Sequence, residues 1–132
     1  MIYEMRTYSV KIGKMQEYLQ LFEKIGLPII AKYAKLIGYW YTEIGELNQI
    51  IHIWEYESLD IRSERRKALY NDPEWLENFI SKALPLLEKQ ESKILYPTTF
   101  SPIQSAAIGN RMRGKPHPVL LYGCHLAEKP II

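Results

Sequence analysis

The chain reads as a small antiparallel α+β domain in the order strand, helix, strand, strand, helix, strand. Three observations predict it. Residues 2–10 and 49–57 alternate in character from one residue to the next, as strands with two unlike faces do. Residues 15–25 and 75–83 repeat their apolar positions at helical spacing instead. Between these runs stand breakers: Gly13, Gly26-Leu27-Pro28, Gly45-Glu46-Leu47-Asn48, Asp72-Pro73 and Pro85.

The first strand is expected over Ile2 to Val10, with Tyr3, Met5 and Thr7 on one face and Ile2, Glu4, Arg6 and Tyr8 on the other. Lys11 to Lys14 turns the chain. Met15, Tyr18, Leu19, Phe22 and Ile25 then form a helical stripe. Pro28 lacks an amide donor and Gly26 weakens the turn, so the helix should break or kink there. Pro28 can open a second short helix running to about Lys35. The aromatic run Gly38 to Glu43 reads as a second strand. Gln49 to Glu57 is the third, and the two make a hairpin.

Ser58 is a fitting N-cap for the next helix, with Asp60 in its first turn. That helix carries Arg62, Arg65, Arg66 and Lys67 and should end near Asn71. Asp72-Pro73-Glu74 restarts a helix, since Asp caps, Pro tolerates the first position and Glu suits the first turn. Trp75, Leu76, Phe79, Ile80 and Ala83 are its apolar stripe, with Trp75 and Phe79 read as core. Ser92 to Tyr96 is the fourth strand. Right-handed crossovers and short connections in one sheet turn this order into a ferredoxin-like βαββαβ fold with a four-stranded antiparallel sheet. Both helical layers pack on one face and leave the other open. Residues 1–103 form this domain; residues 104–132 show no clear period and are expected to be an irregular tail.

A chain of 132 residues, 47% hydrophobic and 24% charged, can bury a core unaided. A net charge of +2 is too small to imply nucleic acid or a membrane surface as partner. The single Cys124 forbids an internal disulfide. The first residues alternate like a strand rather than a signal peptide, and no apolar run approaches the ~18 residues of a membrane helix. The cytoplasm is the location expected on those grounds.

Parity assigns faces. Ile51 and Ile53 suit a core under the helices, which puts His52, Trp54 and Tyr56 on the open face with Glu4, Arg6 and Tyr8; Gly38, Trp40 and Thr42 can join them. Large aromatic surface left wet marks an interface. The simplest cover is the same face of a second copy, so a homodimer is expected.

The opening YEMRTY followed by Gly13-Lys14, the hairpin GYWYTEIGELNQIIHIWEYESL, then DPEW and QESKIL resemble the NIPSNAP family over residues 1–103. The resemblance implies a dimeric α/β barrel, related to antibiotic-biosynthesis monooxygenases, EthD-like proteins and muconolactone isomerases. In that arrangement the sheets of two subunits face each other.

Arg6 and His52 are the sharpest catalytic candidates, since the first and third strands are neighbours in this fold. Arg6 can hold an anionic or enolate oxygen; His52 can move a proton. Set against this, Arg6 can simply pair with Glu4 or Glu55, and His52 can be a hydrogen-bonded interior residue. Tyr8, Trp40, Trp54 and Tyr56 can stack on a flat ligand or merely pack the sheet and dimer. The run Arg62 to Lys67 reads as a solvated helix face. His117, Cys124 and His125 fit no trusted metal spacing, and neither a nucleophile elbow nor a phosphate loop is visible. No metal or cofactor is expected. Two functions follow. One is a homodimeric small-molecule binding protein or cofactor-free enzyme, of monooxygenase or isomerase type. The other is a non-enzymatic interaction or scaffold module whose aromatic face only makes the dimer.

Overall fold

The computed structural model describes residues 1–104. Residues 2–95 form one compact unit. Its sheet holds β1 (Ile2–Val10), β2 (Lys35–Tyr41), β3 (Gln49–Tyr56) and β4 (Leu87–Leu95), ordered β2-β3-β1-β4 and antiparallel throughout. This is the ferredoxin-like arrangement expected from the sequence. The two central strands, β1 and β3, set Arg6 opposite His52 and Glu4 opposite Trp54.

The first helical layer is α1 (Met15–Leu21), a π-helical turn at Phe22–Gly26 and α2 (Leu27–Ile30). Gly26-Leu27-Pro28 therefore does not break the helix. The chain absorbs its proline by widening the turn before it, and α2 stops at Ile30, short of the predicted Lys35. The second layer is α3 (Leu59–Tyr70), a π-helical turn at Trp75–Ile80, the short α4 (Ser81–Ala83) and a 3₁₀ turn at Leu84–Leu86. Ser58 caps α3 as predicted, its Oγ accepting from the Ile61 N–H at 3.1 Å. Asp72 Oδ1 accepts from the Glu74 N–H at 3.0 Å at the restart. The π-helical turns pack on each other where Gly26 meets Phe79; a methyl on Gly26 would lie 2.7 Å from the Phe79 ring.

β4 begins at Leu87, five residues before the predicted Ser92. Its central run, Glu88 to Lys93, is polar because β4 is an edge strand with few core positions to fill.

The assignment of faces is opposite to the expected one. Ile2, Glu4, Tyr8 and Val10 of β1 and Ile50, His52, Trp54 and Tyr56 of β3 are buried, and they pack toward the helices. Arg62 of α3 reaching Glu4 fixes that face. The helix-free side carries Met5 and Thr7 with Ile51 and Ile53, all partly exposed. Ring area decides the matter. Trp54 lies edge-on to Phe22, and Tyr39 of β2, on the same face, stacks on Phe22 at 4.6 Å. Ile51 and Ile53 would bury less surface there.

Residues 96–104 form a turn-rich segment in which Gln104 Nε2 donates to the carbonyls of Thr99 and Ser101, both at 2.7 Å. The expected irregular tail lies, past Gln104, outside the described residues. No helix among the described residues is long and apolar enough to cross a membrane.

Candidate functional site

A cavity of about 90 Å³ lies between the sheet and the helices. Arg6, Tyr8, His52, Trp54 and Tyr56 all line it, so five of the six residues singled out from the sequence come together. Trp40 does not join them. It lies across from Ile51, on the helix-free side, half exposed, with its ring folded over Gly38.

The floor is built on a buried carboxylate. Glu4 is fully buried at the middle of the sheet. Its Oε2 accepts from Arg6 Nη1 at 2.8 Å, Arg62 Nη2 at 2.8 Å and Ser92 Oγ at 2.6 Å, and its Oε1 accepts from Arg62 Nε at 3.0 Å. Burial by itself would raise the Glu4 pKa. The hydrogen bonds from Arg62 and Ser92 and the charges of Arg6 and Arg62 outweigh it and hold the carboxyl down at about 2. Two guanidiniums share one carboxylate, so the floor keeps a net positive charge. Arg6 is further pinned by donating from Nε to the Tyr8 hydroxyl at 2.6 Å. The pairing of Arg6 with Glu4 was the plain alternative read from the sequence, and it holds.

His52 is buried and closely held. Tyr39 stacks on it at 4.7 Å and Tyr8 meets it edge-on at 4.7 Å. Its Nδ1 accepts the Trp54 indole N–H at 2.6 Å. An accepting Nδ1 places the proton of the neutral ring on Nε2. Burial, and then the Arg6 charge, press its pKa down to about 3 against a smaller opposing pull from Glu4. His52 is thus a neutral N–H donor. Its Nε2 is buried without a partner, and so is Trp75 Nε1. Both residues line the cavity.

Five tyrosines, Tyr8, Tyr18, Tyr39, Tyr56 and Tyr70, also line it. Burial raises the pKa of the first four, which keeps their hydroxyls protonated. Arg66 of α3 completes the wall, its guanidinium 5.5 Å from the Tyr70 ring centre. The sequence reading placed Arg62 and Arg66 on a solvated helix face. They stand four apart and share one face, and in the structure that face turns toward Glu4 and the cavity. The signal that could have found them was Glu4 itself, on the same parity as the core residues Ile2 and Val10. A carboxylate on a core face needs several donors, and Arg6 on its own strand leaves room for more from the layer above.

Among the described residues no cluster of His, Cys, Asp or Glu is arranged to hold a metal ion. His117, Cys124 and His125 lie outside them.

A family model described as NIPSNAP matches residues 3–102. Protein NipSnap homolog 3A of Homo sapiens is 44% identical over 95 residues, which cover 71% of this chain and 38% of that protein. The chain thus spans about two fifths of that relative's length. The crystal structure of a NIPSNAP family protein from Agrobacterium tumefaciens is 48% identical with a TM-score of 0.76, covering 78% of this chain and 98% of that one. An uncharacterized NIPSNAP domain protein from Burkholderia xenovorans is 40% identical with a TM-score of 0.75, covering 77% and 99%. A putative antibiotic biosynthesis monooxygenase from Nitrosomonas europaea, 10% identical with a TM-score of 0.55 over 74% of this chain and 98% of that one, shares the fold alone.

Proposed function

The chain belongs to the NIPSNAP family, and we propose that it is a homodimeric protein that binds a small organic molecule in the cavity between sheet and helices of each subunit. One observation carries the reading. Two buried N–H groups, His52 Nε2 and Trp75 Nε1, have no protein acceptor and belong to residues lining one cavity. Leaving such donors unpaired costs about 1–3 kcal/mol each, so a ligand or ordered water that accepts from them is favoured. Aromatic walls supply contact area, and Arg6 and Arg66 supply the positive charge that orients the guest.

In this reading His52 polarises an acceptor rather than removing a proton. An enzymatic version, of monooxygenase or isomerase type, would therefore have Arg6 and His52 stabilise oxygen charge on a bound substrate. The dimer would form through the helix-free face, where Met5, Ile51, Ile53 and Trp40 present apolar surface. The half-exposed Trp40 is also the feature that favours the competing reading, an interaction module with no ligand.

Soaking crystals in a small-fragment library tests the choice. Density is expected at His52 Nε2, with binding lost in Arg6→Ala and His52→Ala and the dimer retained in sedimentation velocity. A fragment whose affinity ignores both changes would sink the site, and a cavity that stays closed to every fragment would favour the interaction module.

A further inference from the structure

We infer that the cavity takes a planar organic anion about one ring in size, with His52 Nε2 and the Arg66 guanidinium as its oxygen-binding partners; this rests on the ligand-binding reading above and goes beyond it in charge and class. The first support is the sign of the lining. Two arginines, five tyrosines, His52 and Trp75 offer donors, and no Asp or Glu is among the lining residues. Glu4, beside the Arg6 that lines the cavity, has its oxygens occupied by Arg6, Arg62 and Ser92. The second support is Arg66. Among the described residues it has no carboxylate partner, and it stands beside Tyr56 and over Tyr70 at the cavity wall. A guanidinium without a counter-ion beside a low-dielectric cavity favours an anion there.

Shape comes from the rings. Phe22, Tyr39 and His52 form a stacked run with centroid spacings of 4.6 and 4.7 Å, and Trp75 stacks on Phe79 at 4.6 Å. A cavity lined by this many rings suits an aromatic or otherwise flat guest. A volume of about 90 Å³ holds several waters; it excludes a fused system and admits a single ring only as the walls widen around it. Aryl carboxylates and cyclic enolates share this chemistry.

Titration calorimetry of the full chain at pH 7 against four one-ring probes tests it. Benzoate and the enolate of cyclohexane-1,3-dione are the anions; benzamide is a neutral near-isostere of benzoate, and benzylamine is a cation. At least one anion is expected to bind about tenfold or more tighter than benzamide, and benzylamine not at all. Whichever anion binds more tightly identifies the source. Arg66→Gln should cut anion affinity about tenfold and leave benzamide unchanged, and His52→Gln should weaken the anions without unfolding the chain. Benzamide or benzylamine binding as well as both anions would overturn the anion assignment while leaving the ligand site standing. Equal anion affinity in Arg66→Gln would remove Arg66 from it. Failure of all four probes at millimolar concentration would overturn the inference together with the binding reading.

Discussion

Trp54 donates its indole N–H to Nδ1 of His52, two residues away on the same strand and the same face, at 2.6 Å. That bond fixes which nitrogen of His52 carries the proton. Trp54→Phe keeps one aromatic ring but removes the donor and part of the buried indole, leaving a buried nitrogen unpaired. A loss of about 1–3 kcal/mol in urea unfolding is expected. Nitrogen-15 spectra of the wild type should show the Nε2–H tautomer, and an Nδ1–H pattern would contradict the assignment.

Acidification should destabilise the fold in two stages. His52 stays neutral in the folded state down to about pH 3 but titrates at its usual 6.5 when unfolded. Between those values the unfolded chain holds a proton that the folded chain refuses. Stability is therefore complete above pH 6.5 and falls toward pH 3, by up to about 1.4 kcal/mol per unit. Glu4, depressed from 4.5 to about 2, adds a second loss below pH 4.5. Denaturant midpoints in His52→Gln should stay flat from pH 6.5 to 5, where the wild type declines. Parallel slopes in the two proteins over that interval would remove His52 from the account.

Glu4→Gln should cost about 3–5 kcal/mol, because Arg6 and Arg62 lose the buried charge that compensates them. Adding Arg62→Met removes one of the stranded cations and should recover part of the loss. A double-mutant cycle is expected to show coupling above about 0.5 kcal/mol; simple additivity would mean that the geometry overstates the ion cluster.

Gly26→Ala should destabilise, since the new methyl meets the Phe79 ring at 2.7 Å and overpacking typically costs about 1–3 kcal/mol. Phe79→Leu in the same chain should relieve most of it. Thermal unfolding of the wild type, the two single variants and the double variant decides, and a stabilised Gly26→Ala would show that the two turns are not in close contact.

The two central strands and the caps were legible because each has a local cause, whereas β2 and β4 both begin earlier than their sequence signals suggest. Ile2–Val10 and Gln49–Tyr56 alternate, and Ser58 and Asp72-Pro73 cap by chemistry that acts within a turn. The sidedness of the sheet has no local cause. Alternation shows that two faces differ, and here the polar-looking set, Glu4, Arg6, His52 and Trp54, is the buried one because its partners come from α3 and the helical layers. Ile2, Val10 and Ile50, sharing that parity, carried the correct answer. Arg62 and Arg66 were hidden for the same reason, since helical spacing gives a shared face without saying where it points. The π-helical turns left no mark in the sequence that propensity could register.

Those two turns have a consequence for how relatives of this chain can diverge. Each residue of a helix advances the direction of its neighbours by about 100°, and a π-helical turn is in effect one residue inserted into an α-helix. Removing a single residue from Phe22–Gly26 would swing Tyr18, now buried against the cavity, about a quarter-turn away while α2 kept its place. The same change at Trp75–Ile80 would turn Trp75, which lines the cavity, relative to Ala83 and Leu84 beyond it. Chain length at these two positions is thus a dial on what faces the guest, and one insertion or deletion can exchange the residues on a wall of the chamber while the rest of the sequence stays the same.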